Sequence, residues 1–355
     1  MSGDREASEE HVAKQHLARQ AIEKIIGRQD LAGDEARTLM HAIMSGALPD
    51  AQIAAMLTAL RMKGETVDEI AGFAGAMREF SVSISPRRSG LVDTCGTGGD
   101  SRGTFNISTA TALIAAAMGI PVAKHGNRAV SSQCGSADVL EALGVNIDLK
   151  PGAVAELIDR VGIGFLFAPN HHPAMKHAAT ARKQLGVRTV FNLLGPLTNP
   201  AGVKRQLIGV FHRELTEVVC RVLHHLGSEK AFVVHGLDGV DEVSITGETI
   251  VSALENGKTR TYRFTPEEAG LDRKGLAEIC GGSVRENAAY IEDILSGSNG
   301  ARSDAALLNV GFVAALANRA KTPEEGVRLA RETIESGKAI ILLDDLRKTS
   351  HELAV

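Results

Sequence analysis

Short apolar runs at Leu91–Val92, Pro121–Ala123, Phe165–Phe167, Leu207–Phe211 and Ala231–Val234 alternate with stretches of helical period at Thr109–Met118, Ser136–Leu143, Ala153–Val161 and Arg213–Leu226. A strand buried on both faces reads as a short continuous apolar run, and two strands running in the same direction need a crossover between them. The alternation therefore predicts an α/β fold, a mostly parallel sheet flanked by helices on both faces. Ligands of such sheets sit at the carboxyl ends of the strands, so chemistry is expected in the loops that follow these runs. Beyond Gly247 the pattern is less regular. It suggests strands near Ile250 and Tyr262–Phe264, then three closing helices at Arg285–Leu295, Asp304–Asn318 and Pro323–Ser336.

The first 90 residues follow a different period. Ile53, Met56, Leu57 and Leu60 recur at i, i+3, i+4 and i+7, and Ile70, Phe73, Ala74 and Met77 repeat that spacing behind Thr66 and Glu69, a capping-box pair. Gly46 and Gly64 supply helix stops, with Pro49 just beyond the first. A small all-helical N-terminal domain of about four helices is predicted over residues 17–82. Residues 1–16 read as a flexible extension, the polar stretch SISPRRSG at 83–90 as a hinge, and 91–355 as the larger α/β domain. A chain of 355 residues has room for two such cores.

Composition narrows the partners. A net charge of −4, no Trp and only two Tyr argue against nucleic acid. Cys95, Cys134, Cys220 and Cys280 form neither a C-x-x-C pair nor a small-domain framework, which predicts reduced thiols and a cytoplasmic location. The charged N-terminus lacks the apolar segment of a signal peptide, and no run of about 20 apolar residues is present to span a bilayer, so no membrane partner is expected.

Between Leu91 and Thr109 the sequence LVDTCGTGGDSRGTFNIST breaks from a strand into glycines and reopens as a helix. Gly96, Gly98, Gly99 and Gly103 allow close backbone approach to a ligand, and Asn106 and Ser108 offer cap oxygens ahead of an Ala-rich helix whose N–H groups and dipole would face the loop. Phosphate is the expected guest. The spelling is neither a dinucleotide fingerprint, which needs glycine where Ser101 stands, nor a Walker A loop, which needs lysine where Thr104 stands.

Three further stretches carry candidate chemistry. In KHGNRAVSSQCGSAD (Lys124–Asp138), Lys124 and Arg128 are placed to neutralise phosphate, while Ser131, Ser132 and Ser136 either donate to phosphate oxygens or cap the next helix. In HGLDGVDEVS (His235–Ser244), Asp241 and Glu242 are a candidate Mg²⁺ pair, and Asp238–Gly239 equally suits a plain surface turn. In the stretch Ala168–Gly186, His171, His172 and His177 lack the i, i+4 spacing of zinc ligands on one helical face; Arg182 lies on a helix starting near Pro173, where a basic side chain facing the sheet could bind a carboxylate and a solvent-facing arginine is the plain alternative. No G-x-S-x-G elbow, H-E-x-x-H helix or C-x-x-C pair occurs, so no covalent nucleophile is expected.

Taken together, GTGGD (Gly96–Asp100), TFNIST (Thr104–Thr109), Lys124–Asp138, HHPAMKHAATARKQLG (His171–Gly186), RTVFNLLGPLTNP (Arg188–Pro200) and HGLDGVDE (His235–Glu242) resemble the anthranilate phosphoribosyltransferases of tryptophan biosynthesis, from about Leu17 to the C-terminal helices. The resemblance implies a helical domain that also recruits part of 173–195, a larger α/β domain, and a homodimer. It implies transfer of the 5-phosphoribosyl group from phosphoribosyl pyrophosphate (PRPP) to the amine of anthranilate, with two Mg²⁺ ions per active site. Carried over residue by residue, Gly96, Gly99, Asp100, Thr104, Asn106, Ser108, Thr109, Lys124, Ser131, Ser132 and Ser136 become PRPP contacts. Gly96, Asn127 and Arg182 become anthranilate contacts, and Ser108, Asp241 and Glu242 become magnesium ligands. Lys124 would stabilise the departing charge electrostatically. Two other readings are a non-catalytic nucleic-acid-binding relative of the same fold and a phosphoribosyltransferase or phosphorylase with another acceptor. The net charge and the presence of Arg182 and the Asp241–Glu242 pair speak against the first of these.

Overall fold

The structure is a computed structural model and describes residues 15–98, 102–129 and 133–354. The chain forms two compact units. One takes the residues up to Val82 together with His171–Thr198, and the other takes Ser83–Asn170 and the chain from Asn199 onward. Of the extension expected over 1–16, residues 1–14 lie outside the described residues, and 15 and 16 already belong to a helix over 15–26.

The first unit is helical: 15–26, Gly33–Met44, Asp50–Lys63 and Val67–Glu79, joined by Lys176–Leu185 and Phe191–Leu197. The apolar stripe read from the sequence is its core, with Ile53, Met56, Leu57, Leu60 and Phe73 fully buried. The Thr66–Glu69 capping box forms, the Thr66 N–H donating to Glu69 Oε2 at 2.8 Å and the Glu69 N–H to Thr66 Oγ1 at 3.2 Å. Glu69 is fully buried and also accepts from the Leu31 N–H (2.9 Å) and from Lys63 Nζ (3.0 Å), so a local cap doubles as a tie between helices.

The second unit is built on a seven-stranded sheet in the order β3-β2-β1-β4-β5-β6-β7. The strands are β1 (Val92–Gly96), β2 (Val122–Gly126), β3 (Ile163–Phe167), β4 (Arg205–Gly209), β5 (Lys230–Gly236), β6 (Thr249–Glu255) and β7 (Lys258–Phe264). The first five are parallel, and β6 and β7 complete the edge antiparallel. The β6–β7 hairpin turns at Asn256–Gly257, both at positive φ (52° and 70°), which is what a two-residue hairpin requires. That Asn-Gly pair was legible and would have joined the two expected strands. The closing helices Val284–Leu295, Ala301–Leu316 and Pro323–Glu335 are followed by a fourth, Lys338–Glu352, which the sequence reading lacked. Gly337, at φ 76°, stops one helix and opens the next, and read alone it marks only an end. Ala301–Leu316 is buried almost all round, packing on β1, β4 and β5 and on the helix Ile107–Ala117.

Two features place the site. Chain order reverses between β1 and β4, so the crevice of this sheet opens above their carboxyl ends. There β1, β2, β4 and β5 all end in glycine (Gly96, Gly126, Gly209 and Gly236). The stretch 83–90 has no regular structure and lies on the second unit, where Asp159 Oδ1 accepts the N–H groups of Arg87 (2.8 Å) and Arg88 (3.1 Å).

Candidate active site

The anion loop leaves β1 at the reversal point. The strand runs on through Gly96 instead of breaking at Val92, because its ladder with β4 continues to Gly96 opposite Gly209. Both glycines make room for Asp241. A Cβ on Gly96 would stand 2.5 Å from Asp241 Oδ2, and one on Gly209 only 1.5 Å from the Asp241 carbonyl oxygen. Asp241 Oδ2 in turn accepts the Gly98 N–H at 2.9 Å, tying the acidic loop after β5 to the glycine loop after β1. Gly99 and Asp100 lie outside the described residues.

The second half of the loop is held from far along the chain. The Phe105 N–H donates to Ile279 O (3.1 Å), the Gly281 N–H donates to Gly103 O (2.8 Å), and Thr104 pairs with Cys280 in an antiparallel bridge. Arg302 braces this strap by donating to Cys280 O from Nε (3.2 Å) and Nη2 (2.9 Å), with its guanidinium 3.7 Å from the centre of the Tyr290 ring. No local sequence signal announced this pairing.

At the helix Ile107–Ala117 the expected caps are corrected. Asn106 is the N-cap residue, but its side chain makes no cap bond; Nδ2 donates to Cys134 O at 3.1 Å and ties the helix to the second loop. Asn106 Oδ1 is buried without a hydrogen-bond partner among the described residues, as is Thr109 Oγ1. Ser108 lies inside the first turn, its Oγ accepting from Lys124 Nζ at 3.3 Å. The helix end is thus not closed by its own side chains, which suits an incoming anion.

Lys124, on β2, is only 2% exposed, and its Nζ also donates to Thr94 O at 2.6 Å. Burial pushes the Lys124 pKa down, opposed by the charges of Asp93, Cys95 and Glu242. Asp93 is fully buried beneath. Burial pushes its carboxyl up, against the Lys124 charge and hydrogen bonds from Asn199 Nδ2 (2.8 Å) and the His125 N–H (3.1 Å).

In the second loop two expectations change. Arg128 faces the following helix, Ser136–Ala142, pairing with its Asp138 and Glu141, instead of standing free for phosphate. The cap of the helix Ser136–Ala142 is Gly135, not serine, and Asp138 Oδ2 does the capping by accepting the N–H groups of Gly135 and Ala129, both at 2.9 Å. Burial would raise the Asp138 carboxyl, but those N–H groups and Arg128 outweigh it and hold it below its usual range. Ser136 Oγ donates to Asn127 O at 3.3 Å, and the Asn127 side chain is exposed. Ser131 and Ser132 lie outside the described residues.

The Asp238–Gly239 turn and the acidic pair coexist. Gly239 sits at φ 96°, Asp238 Oδ1 accepts the Val240 N–H (3.2 Å), and Asp241 and Glu242 follow, half-buried. Among the described residues no three His, Cys, Asp or Glu side chains gather as metal ligands. Mg²⁺ keeps waters and binds through one or two carboxylates plus substrate phosphates, so an adjacent Asp–Glu pair beside an anion loop fits it without a closed cage.

Arg182 belongs to the helical unit, on Lys176–Leu185: the Pro173 segment opens as a 3₁₀ turn (Pro173–Met175) and the following helix packs on Asp50–Lys63 and Gly33–Met44. Its guanidinium is half-buried, 4.9 Å from the centre of the Phe191 ring, and burial lowers its pKa. His171, in the same unit, is a buried structural side chain whose Nδ1 lies 2.8 Å from Val82 O.

Residues 19–81 match the helical bundle domain of a glycosyl transferase family, and residues 88–340 match its a/b domain. The anthranilate phosphoribosyltransferase of Moorella thermoacetica is 53% identical over 318 residues, covering 90% of this chain and 94% of that one. The chain belongs to the anthranilate phosphoribosyltransferase family. Among solved members of that family, the Thermus thermophilus enzyme superposes with a TM-score of 0.88 at 45% identity, covering 93% of this chain and 99% of that one. The Saccharomyces cerevisiae anthranilate phosphoribosyltransferase, in complex with PRPP and Mg, gives a TM-score of 0.86 at 28% identity, covering 95% of this chain and 98% of that one.

Proposed function

We propose that this chain transfers the 5-phosphoribosyl group of PRPP to the amine of anthranilate, giving N-(5-phosphoribosyl)anthranilate and pyrophosphate for tryptophan biosynthesis. The observation that carries this reading is the junction at the sheet's reversal point: a glycine loop whose Gly98 N–H is held by Asp241, beside a buried Lys124 aimed at the open end of a helix. That arrangement is complementary to a polyphosphate.

In the reaction the bond from ribose C1 to the pyrophosphate oxygen breaks as the anthranilate nitrogen bonds to C1 and gives up a proton. The ribose passes through a cationic, oxocarbenium-like state while the leaving group gains negative charge. Catalysis then rests on positioning and on charges already in place. The phosphates fall to Gly96, Gly99, Asp100, Thr104, Asn106, Ser108, Thr109, Lys124, Ser131, Ser132 and Ser136, with Lys124 stabilising the departing charge. Asn106 Oδ1 and Thr109 Oγ1, buried without a hydrogen-bond partner among the described residues, support a polar guest at this end of the helix. Anthranilate falls to Gly96, Asn127 and Arg182. The planar Arg182 fork, stacked on Phe191, suits a carboxylate. Ser108, Asp241 and Glu242 would hold Mg²⁺, two ions per site, which when bound neutralises phosphate charge. We assign a homodimer, supported by the exposed apolar side chains Leu17, Ile26 and Met62 of the helical unit, and a cytoplasmic location, supported by cysteines that form no disulfide among the described residues.

The test mixes the protein with anthranilate, PRPP and Mg²⁺ and follows the loss of anthranilate fluorescence. Turnover that requires all three is expected. A folded protein that leaves the fluorescence unchanged defeats the reading.

A further inference from the structure

Asn309 is a fully buried carboxamide in the middle of the helix Ala301–Leu316, in the apolar run ALLNVGFVAAL. A polar side chain there is destabilising unless its hydrogen bonds are made inside the protein. Asn309 makes them chiefly to one residue. Its Oδ1 accepts the Val243 N–H (3.1 Å), and its Nδ2 donates to Val243 O (3.0 Å) and to Ala305 O (2.9 Å). The carboxamide therefore meets both backbone groups of Val243, as a neighbouring β-strand would.

Val243 stands immediately after Asp241 and Glu242. The β5–β6 ladder ends at Gly236 opposite Thr249, so the loop carrying the acidic pair lies outside it. Its fixed points include the Asp241 backbone seated on Gly209, the Asp241 carboxylate on the Gly98 N–H, the Gly236 N–H on Val240 O at 2.9 Å, the Ser244 N–H on Thr249 Oγ1 at 2.9 Å, and the Asn309 clamp. We infer that Asn309 is a positioning residue for the Asp241–Glu242 pair: by holding the backbone of Val243 it sets where the two carboxylates stand. The inference rests on the reading that this pair serves Mg²⁺.

The experiment compares Asn309→Ala and Asn309→Leu, the second keeping the core filled, with a double variant Asp241→Asn and Glu242→Gln. Three measurements are made: amide hydrogen exchange over residues 240–246, calorimetric titration with Mg²⁺ and inorganic pyrophosphate, and the Mg²⁺ concentration giving half-maximal turnover. Both Asn309 variants are expected to exchange the Val243 amide at least tenfold faster. They are expected to bind Mg²⁺–pyrophosphate more weakly and to need roughly five- to tenfold more Mg²⁺, with KM for anthranilate within about twofold of the parent. A role confined to core stability would lower the melting temperature and leave the Mg²⁺ requirement in place. If the double variant shifts that requirement and neither Asn309 variant does, positioning by Asn309 is overturned and the metal reading stands. If the double variant leaves Mg²⁺ binding unchanged, the metal reading itself fails and the inference falls with it.

Discussion

Gly209 shows how much a single absent side chain does here. It ends a buried strand, and the Asp241 carbonyl occupies the space a methyl group would take, 1.5 Å from the Cβ position. Flexible side chains yield to such a contact, but this is backbone against backbone. Gly209→Ala should therefore displace the Asp241–Glu242 segment, lowering kcat/KM at saturating anthranilate by more than tenfold and stability by about 1–3 kcal/mol, the usual range for overpacking. Activity and urea-unfolding measurements check both; a fully active Gly209→Ala would show that Asp241 does not need its observed seat. Lys124 illustrates the opposite economy. A full side chain is buried at the site, kept useful by Thr94 O and Ser108 Oγ within hydrogen-bond reach.

Elements reach the site through clamps more than through their own ends. Asp138, from the helix Ser136–Ala142, uses one carboxylate oxygen to hold the N–H groups of Ala129 and Gly135, on either side of residues 130–132. Removing it deletes a helix cap and frees two backbone donors. Asp138→Ala should cost about 1–2 kcal/mol of stability. It should also raise KM for PRPP severalfold while leaving KM for anthranilate nearly unchanged. Equal rises in both constants would contradict a loop that serves phosphate. The strap 279–281, braced by Arg302, plays the corresponding part for the first loop.

The molecule as a whole should lose stability in mild acid for a definable reason. His172 is 8% exposed; burial and the neighbouring His171 hold its pKa down to about 4, from 6.5. Burial also lowers the pKa of His171. An unfolded chain takes up the His172 proton below about pH 6.5, whereas the folded one resists until about 4. This contribution is complete above pH 6.5 and is lost as pH falls towards 4, by about 3 kcal/mol. Urea unfolding between pH 7 and 4 should show that slope, shallower in His172→Gln. A slope unchanged by the substitution would remove His172 as its source. No described helix is long and apolar enough to cross a membrane.

The sequence by itself determined the layered α/β plan, the helical N-terminal unit and where along the chain the two glycine-containing loops and the acidic pair fall, because periodicity, glycine spacing and capping pairs are local and physical. Tertiary structure alone decided which polar groups are free for a ligand. Asn106, read as a cap, reaches across to Cys134, and Arg128, read as a phosphate partner, closes on Asp138 and Glu141. Arg302 and Asn309 support the site from 198 and 66 residues away, Arg302 counted along the chain from Thr104 and Asn309 from Val243, and carry no local mark of it. A side chain's partner is set by what the fold brings within about 3 Å, and sequence neighbourhood reports that only when the partner is also local.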